Sequence, residues 1–206
     1  MELAGIKNIV FDLGGVLINL NKQRCIDAYK ALGYEHAENL LGNYRQEGLF
    51  LLLEEGKISP EEFRNEIRKE IKQEVTDKQL DHALMQFLLD LPAYKLELLR
   101  RLKKDYNVYM LSNTNKIMFD HIVPHYFGQN GTNINDYFDG LFLSFEMGVA
   151  KPDKKIFEMM IEQGQLIPEE TLFIDDSSLN TDAASDLGFY VYTAEPEEDF
   201  TFLFEE

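Results

Sequence analysis

The chain has 206 residues, a single cysteine and a formal net charge of -17 from 37 acidic and 20 basic residues. The length allows one large domain, or one domain that carries a smaller inserted one, and the acidity argues against nucleic acid or anionic membrane as a partner. One cysteine cannot form an intrachain disulfide, no stretch approaches the roughly 20 apolar residues of a membrane span, and residues 1–5 show no secretion signal. We therefore expect a soluble, cytoplasmic protein.

The first predicted element is a strand that ends in a carboxylate. An apolar run over residues 9–11 leads directly into Asp12, and a glycine turn at Gly14 and Gly15 follows. Uninterrupted apolar runs are typical of strands buried on both faces, and ligands of open parallel sheets bind beyond the carboxyl ends of such strands. Asp12 is therefore predicted at the functional edge of a sheet.

Residues 21–90 contain helical patterns and no convincing strand. Ser59 precedes Pro60 and is followed three positions later by Glu62, which predicts a helix start with a capping box. Thr76 predicts a second start, and it leads into apolar positions at helical spacing, namely Leu80, Ala83, Leu84, Phe87 and Leu88. The segment Gly48 to Leu53 is a further candidate helix. We predict a helical bundle over 21–90.

From Pro92 onward the pattern alternates between helix and strand. Helices are predicted over 93–104, 116–122, 153–162 and 179–187, and strands over 108–111, 141–145, 172–174 and 190–192, with a surface loop over 125–133. Such alternation specifies a doubly wound parallel sheet with helices on both faces. We therefore predict an α/β core, residues 1–20 and 91–206, into which a helical domain, residues 21–90, is inserted after the first strand.

Polar side chains lie at the ends of predicted strands or just after them. They are Asp12; Ser112, Asn113, Thr114 and Asn115; Lys151 before Pro152; and Asp175 and Asp176 with Asn180. Carboxylates of this kind bind a hard cation such as Mg²⁺, and a hydroxyl, backbone amides and a lysine can hold a phosphate. An aspartate in this setting can attack phosphorus and form an aspartyl phosphate, which water then hydrolyses. We assign Asp12 as the nucleophile.

These residues resemble the four motifs of the haloacid dehalogenase superfamily of phosphohydrolases, in the order that the superfamily has them. The stretch from Phe11 to Val16 resembles the first motif, 110–113 the second, 150–153 the third and 173–176 the fourth. The resemblance implies that residues 21–90 form the cap placed after the first motif. It also implies a small-molecule phosphate ester as substrate and Mg²⁺ as cofactor.

The resemblance assigns a role to each matching residue. Asp12 would be nucleophile and metal ligand, Ser112 and Asn113 would contact the phosphate, and Lys151 would neutralise the charge of the phosphate and of Asp12. Asp176 would bind Mg²⁺ directly, and Asp175 would do so through water or act as an outer acceptor.

Gly14 departs from the motif. Phosphatases of the superfamily usually carry a second aspartate at this position, which protonates the leaving group and later activates water, a function typically worth about 10² to 10⁴ in rate. The superfamily's metal contact at this position is made by the backbone carbonyl, which Gly14 retains. Glu54 or Glu55 is a candidate replacement for the missing acid.

Other branches of the superfamily also change this position. L-2-haloacid dehalogenases lack the acids of the fourth motif, so the presence of Asp175 and Asp176 argues against dehalogenation. Phosphonatases use a lysine of the cap, for which Lys57 would be the candidate. The first motif resembles most the bacterial phosphatases that act on α-D-glucose 1-phosphate, whose anomeric leaving oxygen needs protonation less than an ordinary alkoxide does.

One alternative comes from a different class of protein. A binding or regulatory protein could keep the phosphate and Mg²⁺ site and lose turnover together with the second aspartate, and Gly14 is the evidence for it. A receiver domain fits less well, because its acid pair lies on its first strand. The histidines (His36, His82, His121 and His125) form no metal-ligand pattern. The sequence predicts neither the individual substrate nor the oligomeric state.

Overall fold

The protein is built on a parallel sheet. The computed structural model describes residues 3–41 and 48–205, so Met1, Glu2, residues 42–47 and Glu206 lie outside it. The strands are β1 (Asn8–Phe11), β2 (Asn107–Ser112), β3 (Gly140–Leu143), β4 (Thr171–Asp175) and β5 (Tyr190–Thr193). Their order is β3-β2-β1-β4-β5, with parallel pairing throughout. The predicted doubly wound sheet is confirmed. Successive strands are added on one side of β1 and then on the other, and such sheets bind ligands at the point where the strand order reverses.

The insert after β1 is helical. Its α-helices are α1 (Lys22–Ala31), α2 (Gly48–Glu54), α3 (Pro60–Glu70) and α4 (Asp77–Met85). Ser59 forms the predicted capping box of α3 with Glu62, and Thr76 forms one with Gln79 at α4. The predicted helix after Thr76 was too long at its C-terminal end. α4 stops at Met85, so Phe87 and Leu88 belong to the segment that leads back to the core.

The chain enters and leaves the insert through two adjacent segments. The backbone N–H of Asn19 donates to the Asp90 carbonyl at 2.9 Å, and the N–H of Leu89 donates to the Asn19 carbonyl at 2.9 Å. Asn21 N–H makes a third such bond, to the Phe87 carbonyl at 2.8 Å. These bonds join the two chain segments in which the domain boundaries, after residues 20 and 90, are predicted.

The core contains the helices of the predicted alternation and one short helix, Ser144–Met147, that was not predicted. They are α5 (Ala93–Leu102), α6 (Lys116–Ile122), α7 (Ser144–Met147), α8 (Lys154–Gly164) and α9 (Ser178–Ser185). The predicted strand over 141–145 was too long, because Ser144 begins α7. The apolar strand β1 is buried on both faces: Ile9 and Phe11 belong to one core cluster, and Val10 belongs to the other. Among the described helices, none has the length and apolar character needed to cross a membrane.

The surface loop predicted over 125–133 was wrong in part. The segment Val123–Phe127 continues α6 as a π-helix, and Gln129–Gly131 forms a 3₁₀ turn. Phe127 is fully buried, with its ring centroid 5.4 Å from that of Tyr137 and 5.7 Å from that of Phe138. The aromatic contacts come from a later segment of the chain, so local composition gave no sign of this burial.

Candidate active site

The sheet register brings the first and fourth motifs together. Phe11 pairs with Met110 on one side and with Ile174 on the other. The next residue, Asp12, continues the ladder by donating its N–H to the Ile174 carbonyl at 2.9 Å. Asp12 therefore lies at the carboxyl edge of the sheet, beside the ends of β2 and β4.

Lys151 links these strand ends through a buried ammonium group. Its Nζ lies 2.8 Å from Asp12 Oδ1 and 2.6 Å from Asp175 Oδ2, and it donates to the Leu111 carbonyl at 2.9 Å. The side chains of Lys151 and Asp175 have 1% and 0% exposure. Such a pair persists only because its hydrogen-bonding capacity is filled on both sides.

The Asn113 side chain positions Lys151. Its Oδ1 accepts from the Lys151 N–H at 2.8 Å, and its Nδ2 donates to the Lys151 carbonyl at 2.9 Å. The peptide bond from Lys151 to Pro152 is cis. Ser112 is buried next to Asn113 at the end of β2. Sequence reasoning placed Asn113 at the phosphate, but it did not predict that its amide would hold the lysine loop.

The carboxylates of Asp12, Asp175 and Asp176 form a compact cluster. One oxygen from each lies within 4.8 Å of the others. Asp175 Oδ1 accepts from the Ser177 N–H and from Asn180 Nδ2, each at 2.9 Å, which leaves Asp175 fixed behind the other two. Asp176 is exposed at the cavity. Asn180 thus orients Asp175, a contact that the sequence analysis did not predict.

Gly15 lets the first-motif turn approach Asp176. Its φ is +84°, and a Cβ at this position would lie 2.2 Å from Asp176 Oδ2. Any larger residue would have to displace that carboxylate. The first and fourth motifs therefore meet through a glycine, which leaves the Asp176 oxygens close to the turn.

Burial and neighbouring carboxylates together raise the pKa values of Asp12 and Asp176. Burial raises the pKa of Asp12 to about 8; Asp175 and Asp176 add to this rise, and Lys151 opposes it. Burial and Asp175 also raise the pKa of Asp176. Burial lowers the pKa of Lys151, but its two carboxylate partners outweigh burial and raise it above its ordinary value. A divalent cation would relieve this repulsion, so the donor set fits Mg²⁺.

Leu20 occupies the space beside Gly14. A Cβ on Gly14 would lie 3.0 Å from Leu20 Cδ1, and the backbone of Gly14 is not in the left-handed region. The absence of an acid here is therefore matched by an apolar neighbour where its side chain would begin. The sequence revealed the missing acid, but the spacing of Leu20 gave no sign of its contact with Gly14.

A cavity of about 370 Å³ opens between the sheet edge and the insert. Its core-side wall includes Asp12, Gly14, Ser112, Asn113, Lys151 and Asp176. The insert contributes Leu41, Leu51, Glu54, Glu55 and Phe87, among others. This volume falls within the usual range for small-molecule sites. The residues that the sequence selected thus surround one cavity, with Asp175 buried behind it.

The insert's charged residues are placed differently around this cavity. Glu54 is 5% exposed, whereas Lys57 is half exposed and pairs with Glu55 at 2.7 Å between Nζ and Oε2. Lys57 does not line the cavity. This arrangement gives no support to Lys57 as a covalent catalyst.

Lys95 is a buried residue that our sequence analysis missed. It is 1% exposed, and its Nζ donates to the Val16 carbonyl in the turn that follows Asp12. Lys95 shares a helical stripe with Leu98, Leu99 and Leu102, all buried. A lysine in register with an apolar stripe was the available signal. It stabilises the first-motif turn from beneath.

A family model described as haloacid dehalogenase-like hydrolase matches residues 6–188. Among curated proteins, the D-ribitol-5-phosphate phosphatase of Bacteroides thetaiotaomicron is 38% identical over 190 residues, which cover 92% of each chain.

Two solved structures are also similar along the whole chain. A HAD family enzyme of Bacteroides thetaiotaomicron, in complex with magnesium and inorganic phosphate, has 44% identity and a TM-score of 0.92, and the match covers 97% of this chain and 100% of that one. A predicted HAD-like family hydrolase of Porphyromonas gingivalis has 41% identity and a TM-score of 0.90, with 98% of each chain covered. The chain therefore belongs to the haloacid dehalogenase-like hydrolase family.

Proposed function

We propose that this hydrolase is an Mg²⁺-dependent phosphatase that acts on a small-molecule phosphate monoester. The observation that carries the proposal is the cluster of Asp12, Asp175 and Asp176 beside a buried Lys151, whose Nζ lies 2.8 Å from Asp12. The similar D-ribitol-5-phosphate phosphatase supports the same activity, and so does the similar HAD family enzyme in complex with magnesium and inorganic phosphate.

Asp12, Asp176 and the Gly14 carbonyl are the proposed Mg²⁺ ligands, and Asp175 would act through water. Bound Mg²⁺ would neutralise negative charge on the phosphate and on the carboxylates. The close approach of Gly15 to Asp176 supports this assignment, because it holds the first-motif turn against a fourth-motif acid.

Asp12 would act as the nucleophile. One of its carboxylate oxygens attacks phosphorus, the bond from phosphorus to the ester oxygen breaks, and the electron pair leaves with that oxygen. Water then attacks the phosphorus of the aspartyl phosphate, which releases inorganic phosphate and restores the Asp12 carboxylate. Lys151 would neutralise charge on Asp12 and on the phosphate, while Ser112 and Asn113 would hold phosphate oxygens.

Residues 21–90 would form a cap over this site, with the core made of 1–20 and 91–206. The paired segments at Asn19 and Asp90 support this division, because a rigid-body motion of the insert can pivot where both connections lie side by side. Closure would exclude water during phosphoryl transfer and opening would readmit it.

The substrate is proposed to be a phosphorylated sugar or sugar alcohol. The similarity to a D-ribitol-5-phosphate phosphatase favours an alditol phosphate as substrate. Gly14 instead favours a sugar 1-phosphate, which has a better leaving group. These two classes differ in how much they need a general acid, so their relative turnover is informative about the site.

The test is Mg²⁺-dependent phosphate release from ribitol 5-phosphate, sugar 1-phosphates, sugar 6-phosphates and 4-nitrophenyl phosphate. Asp12→Asn should abolish turnover, because an amide is a poor nucleophile toward phosphorus. Asp120→Asn is the matched control: Asp120 is exposed and pairs with Lys116 four residues away on α6. Turnover that survives in Asp12→Asn would contradict the nucleophile assignment.

Gly14 supports one other function, a phosphate- and Mg²⁺-binding regulatory protein with little turnover. In that case wild type would bind inorganic phosphate in the presence of Mg²⁺, measured by calorimetry, and release none from any ester of the panel. The cytoplasmic location and the exclusion of nucleic acid and membrane partners stay predictions from composition.

A further inference from the structure

Among the described residues at the active-site edge of the sheet, neither Gly14 nor Lys151 offers a free proton donor for the leaving group. Lys151 is held by three oxygens, two of them carboxylate oxygens, and Leu20 closes the space beside Gly14. Phosphate esters of ordinary alcohols need protonation of the leaving oxygen, since an alkoxide is a poor leaving group. If the proposed function holds, a donor for such substrates must come from elsewhere around the cavity.

Glu54 lines the same cavity from the insert. The residue is 5% exposed, and its Oε2 is buried without a hydrogen-bond partner. Of the buried side-chain polar atoms without a partner in the described residues, Glu54 Oε2 alone belongs to a residue that lines the cavity. An unsatisfied buried polar group costs stability, so its presence points to a role toward a bound molecule.

The turn after Glu54 is packed tightly against the core. Gly56 has a φ of +63°, and a Cβ on it would lie 2.2 Å from the Phe145 carbonyl oxygen of α7. This approach of backbone to backbone fixes the end of α2 against the core next to the site. Glu54 is therefore positioned by the contact between insert and core.

The surroundings of Glu54 favour its neutral form. Burial raises the pKa of Glu54 to about 8, with Asp12 and Glu55 adding to the rise and Lys151 opposing it. Glu54 is also the last residue of α2, where the partial negative charge of the helix end disfavours a carboxylate. A carboxyl group that stays protonated near neutral pH can donate a proton to a leaving group.

We propose that Glu54 is the general acid and base of this hydrolase, supplied by the insert in place of the residue missing at Gly14. The inference rests on the proposed phosphatase function. As Asp12 attacks phosphorus, the leaving oxygen takes the proton of the Glu54 carboxyl and departs as an alcohol. The Glu54 carboxylate then takes a proton from water as that water attacks phosphorus, so that inorganic phosphate forms and both Asp12 and Glu54 return to their starting states.

Glu55 is the competing candidate, and its contacts argue against it. Its Oε2 lies 2.7 Å from Lys57 Nζ, so its carboxylate already has a cation as partner. Among the described residues, Glu55 also has no buried oxygen without a hydrogen-bond partner, whereas Glu54 has one.

Leaving-group dependence distinguishes acid catalysis from a structural role. The variants are Glu54→Gln, Glu54→Asp, Glu55→Gln and, as a control on an exposed position of α3, Glu61→Gln. Each is assayed with 4-nitrophenyl phosphate and with the alkyl phosphate that wild type hydrolyses fastest, and circular dichroism checks that each variant folds. Nitrophenolate is a good leaving group without protonation, whereas the oxygen of an alkyl ester must be protonated as it leaves.

We expect Glu54→Gln to lower alkyl phosphate turnover by about 10² to 10⁴. With 4-nitrophenyl phosphate it should release about one equivalent of nitrophenol per enzyme in a rapid burst and then turn over slowly, because water activation is lost. The accumulated aspartyl phosphate should be detectable by mass spectrometry after an acid quench. Glu54→Asp should recover part of the alkyl activity, and Glu61→Gln should match wild type.

Three results would overturn the inference: equal losses on both esters without a burst, a loss that appears in Glu55→Gln and not in Glu54→Gln, or full alkyl activity in Glu54→Gln. In each of these cases wild type is active and Asp12→Asn is inactive, so the proposed function stands. Wild type that hydrolyses no ester would overturn the proposed function and the inference together.

Discussion

The pH dependence of stability tests the environment of Glu54 without any substrate. Burial, with the charge of Asp12 adding to it, raises the pKa of Glu54 from 4.5 to about 8. Between these two values the folded protein holds a proton that the unfolded chain releases, so the free energy of unfolding falls as the pH rises. Glu54→Gln cannot ionise, and this contribution disappears in the variant.

The size of the effect follows from the two pKa values. A carboxyl group with these values destabilises the folded state by about 1 kcal/mol at pH 5.5 and by about 4 kcal/mol at pH 7.5. The stability of Glu54→Gln relative to wild type should therefore increase by about 2 to 3 kcal/mol between these pH values. The effect of the buried amide itself is common to both conditions and cancels in the difference.

Urea denaturation of wild type and Glu54→Gln at both pH values, with EDTA present, measures this difference. EDTA is required because a bound cation would change the charge near Asp12 and couple metal release to unfolding. Glu61→Gln controls for the removal of one exposed carboxylate from the insert. If the difference between Glu54→Gln and wild type is the same at both pH values, Glu54 is not held neutral and the reasoning is refuted.

Three further predictions concern the contacts that assemble the site. Gly15→Ala should raise the Mg²⁺ concentration needed for half-maximal activity by about tenfold or more, because its Cβ would lie 2.2 Å from Asp176 Oδ2. An unchanged requirement would contradict the proposed metal site. Gly56→Ala should lower the free energy of unfolding by about 2 to 4 kcal/mol in urea titrations, since its Cβ would meet the Phe145 carbonyl and its φ is left-handed. A variant as stable as wild type would disprove this contact between insert and core. Lys151→Met should lower the free energy of unfolding by about 3 to 5 kcal/mol with EDTA present, because it leaves two buried carboxylates without their cationic partner. The loss should be smaller with Mg²⁺, and equal losses in both buffers would count against cation binding there.

Local sequence patterns were sufficient for most of the fold. The apolar run before Asp12, the helix start at Ser59 and the alternation after Pro92 depend on interactions within a few residues, and these elements are present in the structure. Helix ends and the π-helix at 123–127 were less predictable. Phe127 is buried by aromatic rings that arrive from residues ten or more positions away, which no local pattern specifies.

The sequence by itself determined which residues could carry chemistry, because the first, second and fourth motifs each join an apolar strand to polar side chains at its end. It also revealed the missing acid at Gly14. Only the tertiary structure decided that Leu20 closes the space beside this glycine and that Glu54 lines the cavity with an unpartnered oxygen. The first fact depends on how the loop after Gly14 folds back, which brings Leu20 against a glycine six residues earlier. The second depends on how the insert packs on the sheet, and a pattern along the chain does not encode which atoms of other segments a residue will meet.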